Sequence, residues 1–355
     1  MTEKIGVGVL SSAHGHVVRY AQLIKSTYDD AEVVAYWDDN PERGAKFAEA
    51  NDIELSATVD AVVSNPAVEL VIVASETNKH ADLACAAMEA GKAVIVQKPM
   101  ATSLADCDRM IETSKRTGCF FSMAWQMRCD PQNMRMKELV GSGAVGKVGW
   151  IRRRHCLNLF FNEAFMTGLS RWHIDKESNI GIVFDDISHA FDWILWMKDE
   201  EMPVSIMAEI GQALTDYGTE DTGCTILRWA DGMFATITHS SVVWASENTT
   251  EIYGDKGAII QNHGDGPSCA LKPPCPIAVK LFQADKKEEG WQDQGMEIPE
   301  THGARIGGVT RRILDAYKTG VPLCSAENGR KSVEMMLAAY ESAKSGRRIT
   351  FPFKG

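Results

Sequence analysis

Three residues suited to proton transfer occupy two separate stretches of this chain. Lys98 follows the apolar run 94–96 and Gln97, and it precedes Pro99, whose ring biases the lysine toward an extended backbone. Asp185 and His189 lie four positions apart, the spacing that places two side chains on one face of a helix. An amine, a carboxylate and an imidazole together suit removal of a proton from a hydroxyl group during hydride transfer.

Each of these residues also has a simpler interpretation. A lysine after a strand is commonly a solvated surface group, and an aspartate near a helix start commonly caps the helix. Asp192 continues the same helix face at i+7, where a second carboxylate would fix the tautomer of His189 and raise its basicity; Asp186 lies off that face. The spacing alone leaves a structural histidine as an equal alternative.

No metal site is predicted from these patterns. The nine cysteines are odd in number and lack a C-x-x-C spacing, which indicates reduced thiols rather than a disulfide framework. Cys269 and Cys275 flank a proline-rich loop, but no histidine or cysteine stands nearby at ligand spacing. The Asp185 and His189 pair likewise lacks a third ligand.

The elements that would position Lys98 alternate between short apolar strands and helices, a pattern typical of a parallel sheet covered on both faces. Lys98 would then lie at the carboxyl edge of the sheet, where open α/β sheets bind their ligands. The predicted strands are 5–10, 32–37, 70–74, 93–96 and 119–124, and the predicted helices are 17–26, 41–51, 82–90 and 104–117.

The pattern changes near residue 124. Strand-like runs separated by turn signals then follow one another, which indicates an antiparallel sheet with helices on one face and the other face left for another subunit. We therefore predict an N-terminal Rossmann domain with a doubly wound parallel sheet at 1–124, and an α+β substrate-binding and oligomerisation domain with a large, mostly antiparallel open-faced sheet at 125–355. The predicted strands here are 147–159, 204–213, 222–229, 234–243 and 248–253, and the predicted helices are 131–142, 187–197, 309–319 and 326–345.

The overall composition excludes several classes of function. The chain has 355 residues, 45% of them hydrophobic and 24% charged, and a net charge of −11, as expected for a globular protein of two domains. This acidic balance, without a basic stripe, argues against nucleic acid and anionic membrane surfaces and favours a small-molecule ligand. No secretory signal and no run of ~20 apolar residues occurs, so we expect a cytoplasmic protein.

The turn after the first predicted strand is the candidate dinucleotide phosphate loop. Such turns are normally rich in glycine, so that the backbone approaches the pyrophosphate at the start of a helix. This one retains a single glycine, but its small side chains still permit close approach, and a serine hydroxyl can donate to a phosphate oxygen. An ordinary strand-to-helix turn is the alternative. The loop residues are Ser11, Ser12, Ala13, His14, Gly15 and His16.

Asp38 ends the second predicted strand. It follows Gly15 of the phosphate loop at close to the distance of roughly 20 residues at which an acidic side chain binds the ribose hydroxyls of NAD. Its carboxylate would repel a 2′-phosphate, so NAD is favoured and NADP is less likely, although Arg43 lies one turn further on. The alternative is that Asp38 or Asn40 caps the helix that begins near Pro41.

Further candidate substrate contacts follow the domain boundary. Trp172 and His173 lie in a glycine-flanked segment with further charged residues, which suits a polyhydroxylated ring, although Trp172 is equally acceptable as a core residue. Strand alternation sends Arg154 to one face with Arg152, and Arg153 to the other with His155. Arg128 and Arg154 complete the predicted substrate set.

Taken together, the chain resembles the Gfo/Idh/MocA family, the relatives of glucose-fructose oxidoreductase and inositol dehydrogenase, over essentially its whole length. The family has a strand-end Glu-Lys-Pro, a preceding Ala-Gly-Lys, a histidine before that helix, and a Gly-Gly-Gly motif followed by Asp, His and Asp. The matching residues are Gln97-Lys98-Pro99, Ala90-Gly91-Lys92, His80, and Asn179-Ile180-Gly181 with Asp185, His189 and Asp192.

The resemblance implies catalytic roles for Lys98, Asp185 and His189, which also contact the substrate, and a dimer or tetramer formed through the C-terminal sheet. Most phosphate-loop glycines are missing, Gln97 replaces the family glutamate, and two glycines before Asp185 are lost. The cofactor set that we assign comprises the phosphate loop and Asp38 together with Ser75, Glu76, Asn78, His80, Gln97 and Lys98.

The predicted function is an NAD-dependent dehydrogenase that acts on a secondary alcohol of a sugar, sugar derivative, glycoside or cyclitol. One alternative keeps NAD bound and uses transient oxidation for elimination or epimerisation. A second alternative is a sensor of sugars or dinucleotides that no longer catalyses, which the altered phosphate loop favours and the retained lysine, aspartate and histidine oppose.

Overall fold

A computed structural model describes residues 4–245, 248–264, 266–269 and 276–355. The proline-rich loop that contains Cys275 lies outside these residues. In chain order, the first elements are β1 (Ile5–Leu10), α1 (His16–Ser26), β2 (Ala31–Trp37), α2 (Pro41–Asn51), α3 (Val59–Val63), β3 (Leu70–Val73), α4 (His80–Glu89), β4 (Ala93–Gln97), α5 (Leu104–Thr117), β5 (Phe121–Ala124) and α6 (Pro131–Gly141).

The remaining elements begin with one long strand and four helices. The strands of a second sheet follow, and then two long helices and a final short strand. They are β6 (Val148–Cys156), α7 (Glu163–Thr167), α8 (Lys176–Asn179), α9 (Ile182–Asp186), α10 (Ser188–Met197), β7 (Ser205–Gly211), β8 (Thr222–Arg228), β9 (Phe234–Ser240), β10 (Asn248–Gly254), β11 (Gly257–Asn262), β12 (Val279–Gln283), β13 (Gln292–Asp293), α11 (His302–Thr319), α12 (Ala326–Ser345) and β14 (Ile349–Thr350).

The chain forms two compact units that are discontinuous in sequence. The first unit comprises Met1–Gln126, Thr167–Ile180 and Ile306–Val333. The second comprises Met127–Met166, Gly181–Arg305 and Glu334–Gly355. Segments distant in sequence complete the first unit, because Arg311 of α11 binds Asp30 in a loop that the N-terminal sequence alone would leave exposed.

A five-stranded parallel sheet organises the first unit, in the order β2-β1-β3-β4-β5. Every residue of β1, β3 and β4 is buried, as expected for strands covered on both faces. The predicted Rossmann architecture is therefore confirmed. Because all five strands are parallel, their carboxyl ends meet at one edge, where the loop after β1 and the residues after β4 lie.

Local capping explains the helix boundaries in this unit. The Asn40 side chain accepts a hydrogen bond from the Arg43 amide at 3.0 Å, and Pro41 occupies the first turn of α2. Ser103 accepts from the Asp106 amide at 3.1 Å, and Gly118 ends α5 in the left-handed conformation. Both helices begin and end within a residue of the predicted bounds, because their caps are encoded in neighbouring residues.

A nine-stranded sheet organises the second unit, in the order β13-β12-β11-β10-β6-β9-β8-β7-β14. Neighbouring strands are antiparallel except β6 and β9, which are parallel. The mostly antiparallel sheet was predicted, whereas the parallel pair was not. It arises because the long connection through α7–α10 separates β6 from the hairpin strands, and such a crossover permits parallel pairing. The helix α10 packs against β6 and β9.

The elements that the sequence did not predict are the strands β11–β14, the helix α3 and the short helices α7–α9. Each is too short to show a clear helical or strand period over a window of roughly ten residues. No helix in the described part of the chain is long and apolar enough to cross a membrane. Within the same residues, eight cysteines are free thiols.

Candidate active site

The loop after β1 keeps a glycine-like backbone without a glycine at its first position. Ser11 has φ of +67°, in the left-handed region that side chains other than glycine rarely adopt. Its hydroxyl accepts a hydrogen bond from the Ala13 amide at 3.2 Å, and its own amide donates to the Trp37 carbonyl at 2.7 Å. The His14 amide donates to the Ala74 carbonyl at 2.8 Å. The loop is thus anchored to the ends of β2 and β3.

Asp38, directly after β2, is enclosed by donors. Its side chain is 0% exposed, and it accepts hydrogen bonds from the Ser12 amide at 2.8 Å and the Tyr36 hydroxyl at 2.8 Å. Arg43 Nε donates to both carboxylate oxygens at 3.0 Å. Burial alone would raise the pKa of Asp38, but Arg43 and the amides of Asn40 and Ser12 hold that pKa at about 2. The carboxylate is therefore ionised, and its oxygens are already engaged within the protein.

The same network extends toward solvent through Asp39 and Glu76. Arg43 donates to Asp39 at 2.8 Å and to Glu76 at 3.0 Å, and Lys79 binds both of these carboxylates. The Asp39 side chain is 32% exposed. The sequence placed the ribose contact on Asp38, whereas the most accessible carboxylate of this network belongs to Asp39.

The end of β4 is buried around Gln97 and Lys98, which are 0% and 3% exposed. Gln97 donates to the Tyr20 hydroxyl at 2.9 Å. The ring of His80 lies between the Pro99 carbonyl at 2.9 Å and the Ser75 carbonyl at 3.1 Å, and it thereby joins the loops that follow β3 and β4. Lys98 is therefore not a solvated surface lysine, which removes the simpler interpretation of its position.

Residues 167–180, which lie outside the predicted N-terminal domain, complete the first unit. The Trp172 indole donates to the Ala13 carbonyl of the phosphate loop at 3.2 Å, and Trp172 stacks on His173 at 3.7 Å between ring centroids. The centroid of His173 lies 5.6 Å from that of His14. The structure therefore places the predicted substrate contacts Trp172 and His173 against the phosphate loop.

Two buried polar side chains with unsatisfied atoms indicate whether this unit is suited to bind a dinucleotide. Both ring nitrogens of His14 and the Oε1 atom of Gln97 are buried without a hydrogen-bond partner among the described residues. Leaving a buried polar group unsatisfied costs about 1–3 kcal/mol. The helix α1 starts next to His14 without a side-chain cap, so its first amides suit an anion. A dinucleotide with a diphosphate and amide groups fits this set.

In the second unit, Glu220 fixes the start of α9, the helix that carries Asp185. Glu220 accepts a hydrogen bond from the Val183 amide at 3.0 Å and another from the Tyr340 hydroxyl. A Cβ atom at Gly181 would lie 2.2 Å from the Glu220 carboxylate. The glycine retained before Asp185 is thus explained by this close approach.

The position before Gly181 also keeps a glycine-like backbone. Ile180 has φ of +67°, which is a genuine outlier for a β-branched side chain. Strain of this kind costs on the order of 1–3 kcal/mol. The surrounding fold therefore imposes the turn that leads into α9 even where the glycine is missing.

Asp185 and His189 occupy the ends of two successive helices rather than one, because the chain turns at Ile187 between α9 and α10. Asp185 is 3% exposed and His189 is 4% exposed. The ring centroid of His189 lies 5.5 Å from that of His155 on β6. The predicted imidazole therefore faces a second buried imidazole.

His155 lies beside His189, and Asp186 lies beside His155; neither was assigned to the candidate site from the sequence. The Nε2 atom of His155 lies 3.3 Å from Asp186 Oδ1, although the spacing of Asp186 had placed it off the functional face. His239 of β9 is paired in register with His155 and is also buried. The signal available in the sequence was the strand alternation that puts His155 on the same face as Arg153.

The remaining predicted residues make other contacts. Arg128 donates to Asp192 at 2.7 and 2.9 Å and to Glu200 at 2.6 Å, so Asp192 binds this guanidinium. Arg153 and His155 lie on the buried face of β6, and Arg153 covers the Trp193 ring of α10. Arg154 lies on the opposite face of β6. Substrate roles for Arg128 and Arg154 remain predictions.

Among the predicted residues, the first unit brings Lys98, His80, Gln97 and the phosphate loop together, and the second contains Asp185 and His189. Asn78 of the assigned cofactor set is exposed, while Ser75 and Glu76 are buried. Across the residues that the structure describes, no group of three or more His, Cys, Asp or Glu side chains is arranged to hold a metal ion.

Comparison with known proteins matches both parts of the chain to one family. The NAD-binding Rossmann domain of the GFO/IDH/MocA oxidoreductases matches residues 5–125, and the GFO/IDH/MocA C-terminal domain matches residues 133–260. Both matches agree with the two sheets described above.

Individual relatives are distant in sequence. Myo-inositol 2-dehydrogenase of Thermotoga maritima is 28% identical over 268 residues, covering 73% of this chain and 74% of the relative. Inositol 2-dehydrogenase of Rhizobium meliloti is 26% identical and covers 98% of this chain and 97% of its own. The structure of a levoglucosan dehydrogenase with NADH and levoglucosan superposes with a TM-score of 0.83 at 17% identity, covering 99% of this chain and 100% of the other, which shows a shared fold.

The buried imidazole of His239 generates a prediction for stability. Burial lowers the pKa of His239 to about 3, with a further decrease from His155. The unfolded chain takes up this proton near the ordinary value of 6.5, so stability is full above pH 6.5 and falls as the pH decreases toward 3. We expect the wild type to lose about 2 kcal/mol more than His239→Gln between pH 7 and pH 5, measured by urea unfolding.

A matched variant separates this effect from general acid sensitivity. His302, which hydrogen-bonds Ser268 at 2.9 Å, is replaced by glutamine, and the resulting protein should keep the wild-type pH slope. Equal slopes for the wild type and His239→Gln would show that His239 is protonated in the folded protein over this range.

Proposed function

The chain belongs to the GFO/IDH/MocA oxidoreductase family, and from this membership we propose an NAD-dependent dehydrogenase of a secondary alcohol. The substrate class is a sugar, sugar derivative, glycoside or cyclitol. Two inositol dehydrogenases among the relatives support this class. A levoglucosan dehydrogenase with the same fold supports it as well.

The single observation that carries the proposal is the position of Lys98 within the first unit. The amine is buried at the end of β4, and its charge acts on His14 of the phosphate loop. A buried cation beside a dinucleotide loop can polarise a hydroxyl oxygen at the reacting end of a cofactor. A solvated lysine would have no such effect, because water screens its charge.

The proposal gives each catalytic side chain one task. His189 takes the proton of the substrate hydroxyl, Lys98 polarises the oxygen and helps to relay the proton, and Asp185 orients this pair. NAD, when bound, supplies the hydride acceptor. Asp186 supports the site indirectly, because its carboxylate lies beside the His155 ring that faces His189.

One observation favours the variant that retains its cofactor. Trp172 donates a hydrogen bond to the phosphate loop, and Trp172 and His173 are both buried, so residues 167–180 would have to move for rapid exchange of a dinucleotide. Elimination or epimerisation through transient oxidation is therefore the second candidate function. It is distinguished by NAD that survives gel filtration and by the absence of net NADH.

Removal of the catalytic side chains tests the assignment of roles. With a panel of inositols, anhydrosugars and glycosides, we expect NADH formation by the wild type, followed at the NADH absorbance band. Lys98→Ala and His189→Ala should each lower kcat roughly 10²–10⁴-fold, the range for loss of a general acid or base. Dinucleotide affinity of His189→Ala should stay within a few-fold of the wild type.

Lys46→Ala is the matched control, since Lys46 is exposed and pairs with Glu42 on α2. This variant should retain the wild-type kcat. If Lys98→Ala and His189→Ala reduce NAD as fast as this control, the assigned roles are wrong. If no compound reacts while a dinucleotide still binds, the sensor alternative gains support.

The carboxylates around Arg43 generate a prediction about cofactor choice. Asp38, Asp39 and Glu76 surround the two cations Arg43 and Lys79, which leaves a net negative charge that repels a 2′-phosphate. Asp39→Ser removes one ion pair from Arg43 and one from Lys79. Because a charged hydrogen bond contributes about 1.5–3 kcal/mol, we expect the ratio of NADP to NAD affinity to rise by about tenfold or more.

Isothermal titration of both dinucleotides measures this ratio. Glu42→Gln is the control. Glu42 is an exposed carboxylate that pairs with Lys46 on α2, the helix that also carries Arg43. An unchanged ratio in Asp39→Ser would show that cofactor choice does not depend on this network.

We also propose that the outer face of the nine-stranded sheet forms a homodimer or homotetramer contact. Trp150 and Phe234 are paired in register and are 43% and 40% exposed, and Met207 and Ile226 are likewise paired and exposed. An exposed apolar patch of this kind is typical of a subunit interface.

The double variant Trp150→Arg, Phe234→Asp should be a monomer by light scattering, because charges replace the apolar pair. Val321→Asp, at another exposed apolar residue, should not change the wild-type mass. A monomeric wild type would contradict the proposal.

A further inference from the structure

Three histidine rings meet at the phosphate loop of the first unit. The centroids of His14 and His16 lie 4.3 Å apart in an edge-on arrangement, and the centroid of His173 lies 5.6 Å from that of His14. Glycine-rich loops offer backbone amides to a diphosphate. This loop instead offers imidazole side chains where glycines are missing.

The imidazole of His14 is buried, and its nitrogen atoms are unsatisfied by the described residues. It is 3% exposed, and in the described part of the chain neither ring nitrogen has a hydrogen-bond partner. A buried imidazole without partners in the protein calls for a polar group beside it that a water molecule, an ion or a ligand supplies. The adjacent start of α1 has no side-chain cap and presents the positive end of a helix to the same place.

The groups that face His14 come from every element packed around the loop. They are His16 at the start of α1, Lys98 after β4, His80 at the start of α4 and His173 in residues 167–180. Asp38, the acidic group that is hydrogen-bonded to the loop, is bound to Arg43 and Ser12. Burial lowers the pKa of His14 well below 6.5, and these four neighbours lower it further, so the ring is neutral without a ligand.

We propose that His14, His16 and His173 form a proton-accepting cradle for the diphosphate of the dinucleotide, so that cofactor binding takes up a proton. The inference rests on the proposed function, because it assumes that NAD or NADP binds here. A protonated imidazole donates two hydrogen bonds, and a neutral one donates a single bond. The doubly esterified diphosphate is a dianion at neutral pH. It would supply the negative charge that the three histidines themselves lack.

The sign of the effect follows from the charges. A bound dianion offsets the repulsion among the histidines and Lys98, so the pKa of His14 is higher in the complex than in the free protein. The affinity for the dinucleotide is therefore greatest at low pH, and it decreases as the pH rises through the pKa of His14 in the complex. If one proton is taken up, the Kd increases by up to tenfold per pH unit between the two pKa values.

Isothermal titration of the full chain with NAD from pH 5.5 to 8.5, in buffers of low and high ionisation enthalpy, measures both the affinity and the protons taken up. We expect a Kd that increases with pH and an uptake approaching one proton. ADP-ribose, which carries the same diphosphate without nicotinamide, should show the same slope, whereas adenosine should show none. This comparison assigns the linkage to the diphosphate.

Variants locate the proton. His14→Gln should bind NAD more weakly at pH 6 and show a flattened slope, and His173→Gln should reduce the slope in part. His302→Gln, in the second unit, should retain the wild-type slope. Thermal unfolding of each variant establishes that it is folded, and His16→Gln serves as the test if His14→Gln is not.

Two outcomes would overturn the inference while leaving the proposed function intact. One is NAD binding with a Kd independent of pH and without proton uptake. The other is an unchanged slope in the folded His14→Gln protein. Failure of both dinucleotides to bind at any pH would overturn the proposed function, and the inference with it.

Discussion

Desolvation at the carboxyl edge of the parallel sheet is the constraint on which the rest of the first unit depends. The strands β1, β3 and β4 are buried on both faces, so every polar group just beyond them loses water. Some groups recover partners from the backbone, as His80 does between two carbonyl groups. Others, such as the ring of His14, find no partner within the part of the chain that the structure describes. The first class supports the fold, and the second keeps an unsatisfied polar group in a buried position.

The Asp38 network shows how the same constraint changes the meaning of a motif. An acidic residue after β2 is a familiar signal for ribose binding. Here burial forces the carboxylate to find partners, and Arg43, Tyr36 and the Ser12 amide supply them. The accessible carboxylate of this network is that of Asp39, at its outer part. A sequence motif names the residue but not whether its lone pairs are free.

The fold keeps glycine-like turns at positions that have lost glycine. Ser11 and Ile180 both have φ of +67°. Ser11 is the first residue of the phosphate loop, and Ile180 lies before the helix that carries Asp185. Ser11 gains a hydrogen bond to the Ala13 amide through its hydroxyl, whereas Ile180 has no polar side chain to offer. Such strain persists only where the surrounding structure determines the turn, and both turns lead directly to predicted functional residues.

The sequence by itself determined the alternating strands and helices, the bounds of α2 and α5, the family resemblance and the position of Lys98 at a strand end, because these depend on residues that are close in the chain. The burial of Lys98 was decided by the tertiary structure. Only the tertiary structure decided that residues 167–180 bring Trp172 and His173 to the phosphate loop, that β6 pairs in parallel with β9, and that His155 joins Asp186 and His189. Each of these contacts joins segments that are distant in sequence. The side-chain pattern of a segment encodes its own conformation and its buried face, but the partner that covers this face is selected by packing of the whole chain.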